Sequence, residues 1–401
     1  MDVCENPLPL SGIRALEWGH AVMGPSCGMV LADMGAEVIK IEKAPSGDDT
    51  RYLPGFGVGL FPYFNRNKRS LALNLKDERG KEILRQLIGK ADVFFENFGP
   101  GAADRLGFGY QACAALNPRL IYCNLKGFMP GPYENRPSLD NLVQMMAGLA
   151  YMTGPKGRPL RAGASVIDIL GGVFGALGII TALYERERTG QGKHILSTLF
   201  ESTAFLVGQH MAHVAVTGEK SIPMPEGTAP WSVYDLFETA EGDQIFIGMT
   251  SDFHWQRFCD TFGLEKLKAD ERLKTNNDRV SQREWMIPEL QKLFKSMPKQ
   301  RIVELADEAK IPFAPIIRPD QLFEDAQLNQ GHGLVETTFP DGTRTKMPKL
   351  PMRLGGCDFG LRNDPPQVGE YGREALGSLG YSPDQVEELV QAGIVAVGNG
   401  K

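Results

Sequence analysis

Apolar positions in the first two hundred residues follow two alternating periods. Short, nearly continuous apolar runs at 13–18, 37–43 (EVIKIEK), 70–75, 93–98 and 120–125 read as strands. Helical spacing lies between them. A glycine-punctuated helix is predicted over 25–34. Asp77 opens an amphipathic helix that carries Ile83, Leu84, Leu87 and Ile88 on one face. Strands that alternate with helices form a parallel sheet covered on both faces. In open sheets of this kind ligands sit at the carboxyl ends of the strands. That rule singles out the segments after Trp18, Lys43, Phe98 and Leu125.

The pattern breaks near 215–233, where TGEKSIPMPEGTAP has three prolines and no periodicity. A hairpin follows, with strands at 233–237 and 244–248. Helices are predicted over 283–297 and 298–310. A second hairpin at 334–354 turns at Asp341-Gly342. Near the end, SPDQ from Ser382 is a capping box with proline at the first helical position. The expected architecture is α/β: a large domain with a Rossmann-like, mostly parallel sheet and a smaller α+β domain. Residues 1–215 would start the large domain, 216–232 link it, 233–330 form the small domain, and 331–401 return to the large one.

Composition narrows the function. A chain of 401 residues has room for two or three domains, and 42% hydrophobic with 23% charged residues excludes wholesale disorder. The net charge is −6 and the densest basic run is NRNKR at 65–69, which argues against a nucleic-acid partner. It leaves room for a local basic pocket for one phosphorylated ligand. The six cysteines, at 4, 27, 113, 123, 259 and 357, form no CxxC pair, so a zinc ribbon is not expected. Their spread suits buried thiols in a reducing cytoplasm. The first ten residues lack an apolar signal core. The most apolar stretch, 166–183, contains Asp168 and four glycines, so it reads as a core helix rather than a membrane span.

Familiar catalytic signatures are missing: no GxSxG, no Walker A loop, no HExxH. His210 and His213 lie one helical turn apart without a companion ligand, so no metal is expected. GFGVG at 55–59 reads as a plain turn. Asp168 is the residue that calls for a reason, because burying an unpartnered carboxylate costs several kcal/mol. It is either an N-cap or a carboxylate held at the positive end of a helix, ionised by free amides and available as a nucleophile. Gly171, Gly172, Gly175 and Gly178 would let backbone or a ligand approach that helix closely.

These segments together resemble the class III CoA-transferases, the CaiB/BaiF family that includes formyl-CoA transferase and carnitine CoA-transferase. The resemblance is carried by LSGIRALEWGHAVMGP (10–25), LADMGAEVIKIEK (31–43), NRNKRSLALNLK (65–76), ENFGPGAADRLGFGY (96–110), RLIYCNLKGF (119–128), the Asp168 segment and RERTGQGKHI (186–195). It implies an aspartate nucleophile matching Asp168. That carboxylate attacks the donor thioester to form a mixed anhydride, and the released CoA thiolate then converts the anhydride to an aspartyl-CoA thioester. The acceptor carboxylate reverses the sequence. A coenzyme A thioester is then a substrate, and no cofactor is permanently bound. The matching CoA contacts are Lys43, Leu73, Lys76, Asn97, Phe98, Gly99, Arg105 and Lys126. His20, Val22, Met23 and Phe128 match the acyl pocket. The family also implies an interlocked homodimer.

Some positions depart from the formyl- and oxalyl-handling pattern. Val22 stands where that enzyme has glutamine, Phe128 replaces a tyrosine, and IFIGMTSDFHW (245–255) replaces a glycine run. A larger, more apolar or dicarboxylic acyl group is expected, such as succinyl, with Asn65, Arg66 and Arg161 as groups for a distal carboxylate. The α-methylacyl-CoA racemases share the fold, but Leu139 stands where they need a histidine. His20 could substitute, so that reading stays open. A non-catalytic CoA-binding protein would have no use for Asp168. An NAD-dependent oxidoreductase would need a GxGxxG after the first strand, and none is there.

Overall fold

A computed structural model describes residues 7–227, 230–355, 357 and 359–398. The first five strands are β1 (Arg14–Trp18), β2 (Glu37–Lys43), β3 (Lys68–Leu73), β4 (Val93–Glu96) and β5 (Ile121–Lys126). They are joined by β6 (Lys193–Thr198). The helices of this part are α1 (Met23–Asp33), α2 (Leu60–Phe64), α3 (Glu78–Gly89), α4 (Ala102–Leu106), α5 (Tyr110–Leu116), α6 (Asp140–Met146), α7 (Leu149–Thr153), α8 (Val166–Thr189), α9 (Leu199–Leu206) and α10 (Gly208–Thr217).

The remaining strands are β7 (Val233–Glu238), β8 (Gln244–Met249), β9 (Phe313–Pro315), β10 (Leu334–Thr338), β11 (Arg344–Pro348) and β12 (Val395–Ala396). The large sheet runs β12-β3-β2-β1-β4-β5-β6, parallel throughout except for β12, which pairs antiparallel with β3. Strand order reverses between β1 and β4, so a crevice is expected at the carboxyl ends of those two strands.

Both sheet faces are buried, which is why the strands read as apolar runs without polar alternation. Leu16, Ile39, Leu71, Phe94 and Tyr122 face α3 and its Ile83, Leu84, Leu87 and Ile88. Ala15, Val38, Val93, Phe95 and Cys123 face α1 and α8. Asp77 caps α3 by accepting from the Arg79 amide, as the spacing predicts. The thiols of Cys27, Cys113, Cys123 and Cys259 are buried, while Cys4 lies outside the described residues.

The chain divides into two units: Met1–Pro223 with Ala326–Lys401, and Met224–Asp325. The second unit holds the antiparallel sheet β7-β8-β9 and its helices, including Arg283–Lys295 and Lys299–Ala309. The expected linker at 216–232 is thus divided at Pro223, and α10 extends into it. The predicted hairpin at 334–354 is β10-β11, with the Asp341 side chain accepting from Thr343 N in the turn. The SPDQ box caps helix Pro383–Gln391 through Ser382 and Gln385. GFGVG is one short 3₁₀ turn, Gly55–Gly59.

Two strands of the large sheet, and β9 of the smaller one, escape the sequence pattern. β6 begins on exposed Lys193 and His194, and β12 has two residues. β3 begins two residues early, at the charged pair Lys68-Arg69, because Lys68 is buried in an ion-pair network. Helix α8 has the length and apolarity of a membrane span. One face packs on α1, β5 and β6, while the opposite face leaves Val173, Leu177 and Tyr184 exposed.

Candidate active site

The turn that leaves β1 is held by charges buried beneath it. Lys40 Nζ donates to the Gly19 carbonyl at 2.8 Å and pairs with Glu17 and Asp48 at 3.1 and 2.9 Å. Lys68 Nζ binds the other Glu17 oxygen at 2.7 Å and the Pro25 carbonyl at 2.9 Å. Burial opposes the charge on Lys40, but Glu17 and Asp48 outweigh it and raise its pKa. Burial prevails at Lys68 and lowers its pKa to about 8. Each lysine also binds a main-chain oxygen, so the network fixes the backbone on both sides of the turn. Ala21, at φ 60°, completes that turn in a conformation a β-carbon disfavours.

Asn97 closes the crevice between β1 and β4. Its Oδ1 accepts from His20 N and its Nδ2 donates to His20 O, both at 2.9 Å. A β-carbon on Gly19 or on Gly24 would lie 2.9 Å from that Oδ1, so the two glycines make the clamp possible. The His20 ring stacks on Phe98 at 5.1 Å, and the desolvation of the ring lowers its pKa. Lys126 pairs with buried Glu96 at 2.5 Å and donates to the Phe98 carbonyl at 2.7 Å. Asn97 and Lys126 therefore shape the loop after β4, beyond the ligand-contact role their sequence match implies.

The other basic positions follow the strands: Lys43 ends β2, Lys76 lies three residues past β3, and Arg105 sits in α4, where it donates to the Pro100 carbonyl at 3.3 Å. Lys43, Lys76 and Arg105 are exposed and form no ion pair among the described residues. Gly99 is exposed in the loop after β4, and Leu73 is buried at the end of β3. Val22 is buried with Met29 and Phe64, and Ile169 packs against them, which places the start of α1 beside the start of α8. Met23 and Phe128 are 3% exposed and belong to the core. Arg66 is bound by Asp33 at 2.7 Å, and Asn65 by the Phe61 carbonyl and Lys68. Neither is available for a distal carboxylate; Arg161 is half-buried close to Asp168.

Asp168 lies in the first turn of α8, but it is not the cap. Ser165 holds the N-cap position and makes no side-chain cap bond. The first amides are taken by Asp140 from α6, whose Oδ2 accepts from Ile167 N at 2.9 Å and from Asp168 N at 3.2 Å. Gln144 donates to the other Asp140 oxygen at 2.6 Å, and its own carbonyl accepts from Ala162 N. The expectation that free amides keep Asp168 ionised is thereby corrected. Burial, then the Asp140 charge, push its pKa up to about 7, against the pull of Arg161. Asp140 was missed because its partners are 27 and 28 residues distant, beyond any local capping spacing. Among the described residues no cluster of His, Cys, Asp or Glu could hold a metal ion.

A doubly wound, mostly parallel sheet with a clamped crevice at the ends of β1 and β4 defines an α/β fold of the open, ligand-binding type. The chain belongs to CoA-transferase family III, whose model matches residues 10–371. It is 35% identical to the acetyl-CoA:oxalate CoA-transferase of Acetobacter aceti, over 87% of this chain and 90% of that one. It is 32% identical to the succinyl-CoA:glutarate CoA-transferase of Mus musculus, over 98% and 91%. A crystal structure of a CAIB/BAIF family protein from Brucella suis superposes with a TM-score of 0.82 at 30% identity, covering 93% of this chain and all of that one.

Proposed function

We propose that this protein moves CoA from an acyl-CoA to a second carboxylic acid through an aspartyl-CoA thioester on Asp168. The observation that carries the reading is a partly buried carboxylate in the first turn of α8, whose amide is taken by Asp140 and whose pKa is pushed up to about 7 by burial and the Asp140 charge. Such a carboxylate is more basic than a solvated one, hence a better nucleophile once ionised. Its thioester is close in energy to an acyl-CoA, and the more reactive anhydride is consumed by the released thiolate, so the exchange is reversible overall. Exposed Lys43, Lys76 and Arg105 supply cations for the nucleotide phosphates, and the backbone from Asn97 to Gly99 lines the crevice.

A succinyl-type donor fits best. Two relatives bear the names succinyl-CoA:glutarate and succinate–glutarate CoA-transferase, and Arg161 is a cation near Asp168 for a distal carboxylate. The test offers succinyl-CoA, acetyl-CoA and oxalyl-CoA to a panel of carboxylates, with new thioesters read by mass spectrometry. Asp168→Ala should cut transfer at least ~10³-fold while CoA still binds. Wild-type-like turnover by that variant would end the hypothesis. Leu139 is 72% exposed and carries no base, which disfavours racemase chemistry. Deuterium entering C2 of a 2-methylacyl-CoA without acceptor would revive it.

A further inference from the structure

We propose that Asp140 is a positioning residue for the transfer chemistry: its carboxylate holds the first amides of α8 and, as a fixed anion beside Asp168, favours the steps that discharge that side chain. The inference rests on the reading of Asp168 as the nucleophile.

The geometry distinguishes the two acids. Three donors converge on Asp140: Ile167 N, Asp168 N and the Gln144 amide, at 2.9, 3.2 and 2.6 Å. All three act on acceptor oxygens, so the carboxylate carries its charge there. Asp140 is 6% exposed, in a place where screening by water is weak. It occupies the cationic end of α8, the position that would otherwise stabilise a charged Asp168. Arg161 is the group of opposite sign that acts on Asp168. The start of α1 adds Met23 and Ser26, which carry no charge.

Charge bookkeeping then gives the direction. An Asp168 oxygen bonds to the acyl carbonyl carbon, the carbon–sulfur bond breaks, and the charge departs on the CoA thiolate. The thiolate adds at the Asp168 carboxyl carbon, and the original acyl group leaves as a carboxylate. Asp168 is anionic before these steps and neutral in both the anhydride and the thioester. A fixed negative neighbour raises the energy of the first state and not of the other two. Asp140 thus promotes formation of the adduct, whatever the acyl group.

The test compares Asp140→Asn and Asp140→Ser, which keep a neutral cap acceptor, with Asp140→Glu, which keeps the charge. The titration of Asp168 is followed by NMR of carboxyl-¹³C-aspartate protein, with the resonance assigned through Asp168→Asn. Both neutral variants should lower the midpoint by about half a unit or more. Both should also reduce the fraction of enzyme trapped as Asp168-CoA thioester several-fold at fixed succinyl-CoA and succinate. Asp140→Glu should restore both values. A residue that merely caps the helix would lower Tm and leave the midpoint in place. An unchanged midpoint in either folded neutral variant overturns the proposal. Absence of any adduct in the wild type, with the midpoint shifted as expected, would instead reject Asp168 as nucleophile.

Discussion

Asp168 is held where its charge is costly. A carboxyl whose folded pKa is about 7, against an ordinary value of 3.8, binds a proton in the folded chain that the unfolded chain has lost. The resulting penalty is absent below about pH 4, grows as pH rises from about 4 to 7, and is complete above that window. It amounts to as much as about 4 kcal/mol. Asp168→Asn should therefore raise Tm at pH 8 and do so progressively less as pH falls toward 4. Differential scanning calorimetry across that range checks it; a gain that is constant with pH would contradict the argument. The roles that the sequence did not show share one feature. Asp140 and Glu96 act on partners far along the chain, and Asn97 acts on His20 across 77 positions.

At the scale of elements, α8 and α1 meet through glycine. A β-carbon at Gly172 would lie 2.6 Å from the Met23 carbonyl oxygen and 2.7 Å from Ser26 Cβ. Backbone cannot yield as a flexible side-chain end can, so Gly172→Ala should cost about 1–3 kcal/mol. It should also displace the turn that bears His20 and lower kcat. Gly89→Ala, at the end of α3 with open space around it, should be neutral or slightly stabilising. Urea unfolding of the two variants makes the comparison; equal costs would show that helix propensity, not close approach, decides. The glycine spacing predicted this contact, whereas the partner that fills the gap was not legible. Periodicity reports which face is small, not which backbone lies against it.

The whole molecule leaves an apolar surface uncovered. Val173, Leu177 and Tyr184 of α8, Phe205 of α9, and Met211 and Val216 of α10 are between 41 and 85% exposed. Scattered apolar residues are ordinary on a surface, but several on consecutive helices suit an interface. We propose that the chain assembles as a homodimer through this face. Sedimentation at micromolar concentration should give a dimer, and Leu177→Glu with Phe205→Glu should shift it toward monomer. A wild-type monomer would reject the assembly.

The alternation of apolar runs and helical spacing determined the parallel sheet, the hairpins and the caps at Asp77 and Ser382, because those features depend on neighbours within a few residues. Motif order determined the family and drew attention to Asp168. Tertiary structure alone decided that Lys40 and Lys68 are buried under the turn that leaves β1, that Arg66 is taken by Asp33, and that Asp140 rather than Asp168 holds the first amides of α8. The reason is physical. Secondary structure is written in periodicity, which any window of the chain displays. The charge state of a buried acid depends on the donors and anions that folding brings to it from elsewhere.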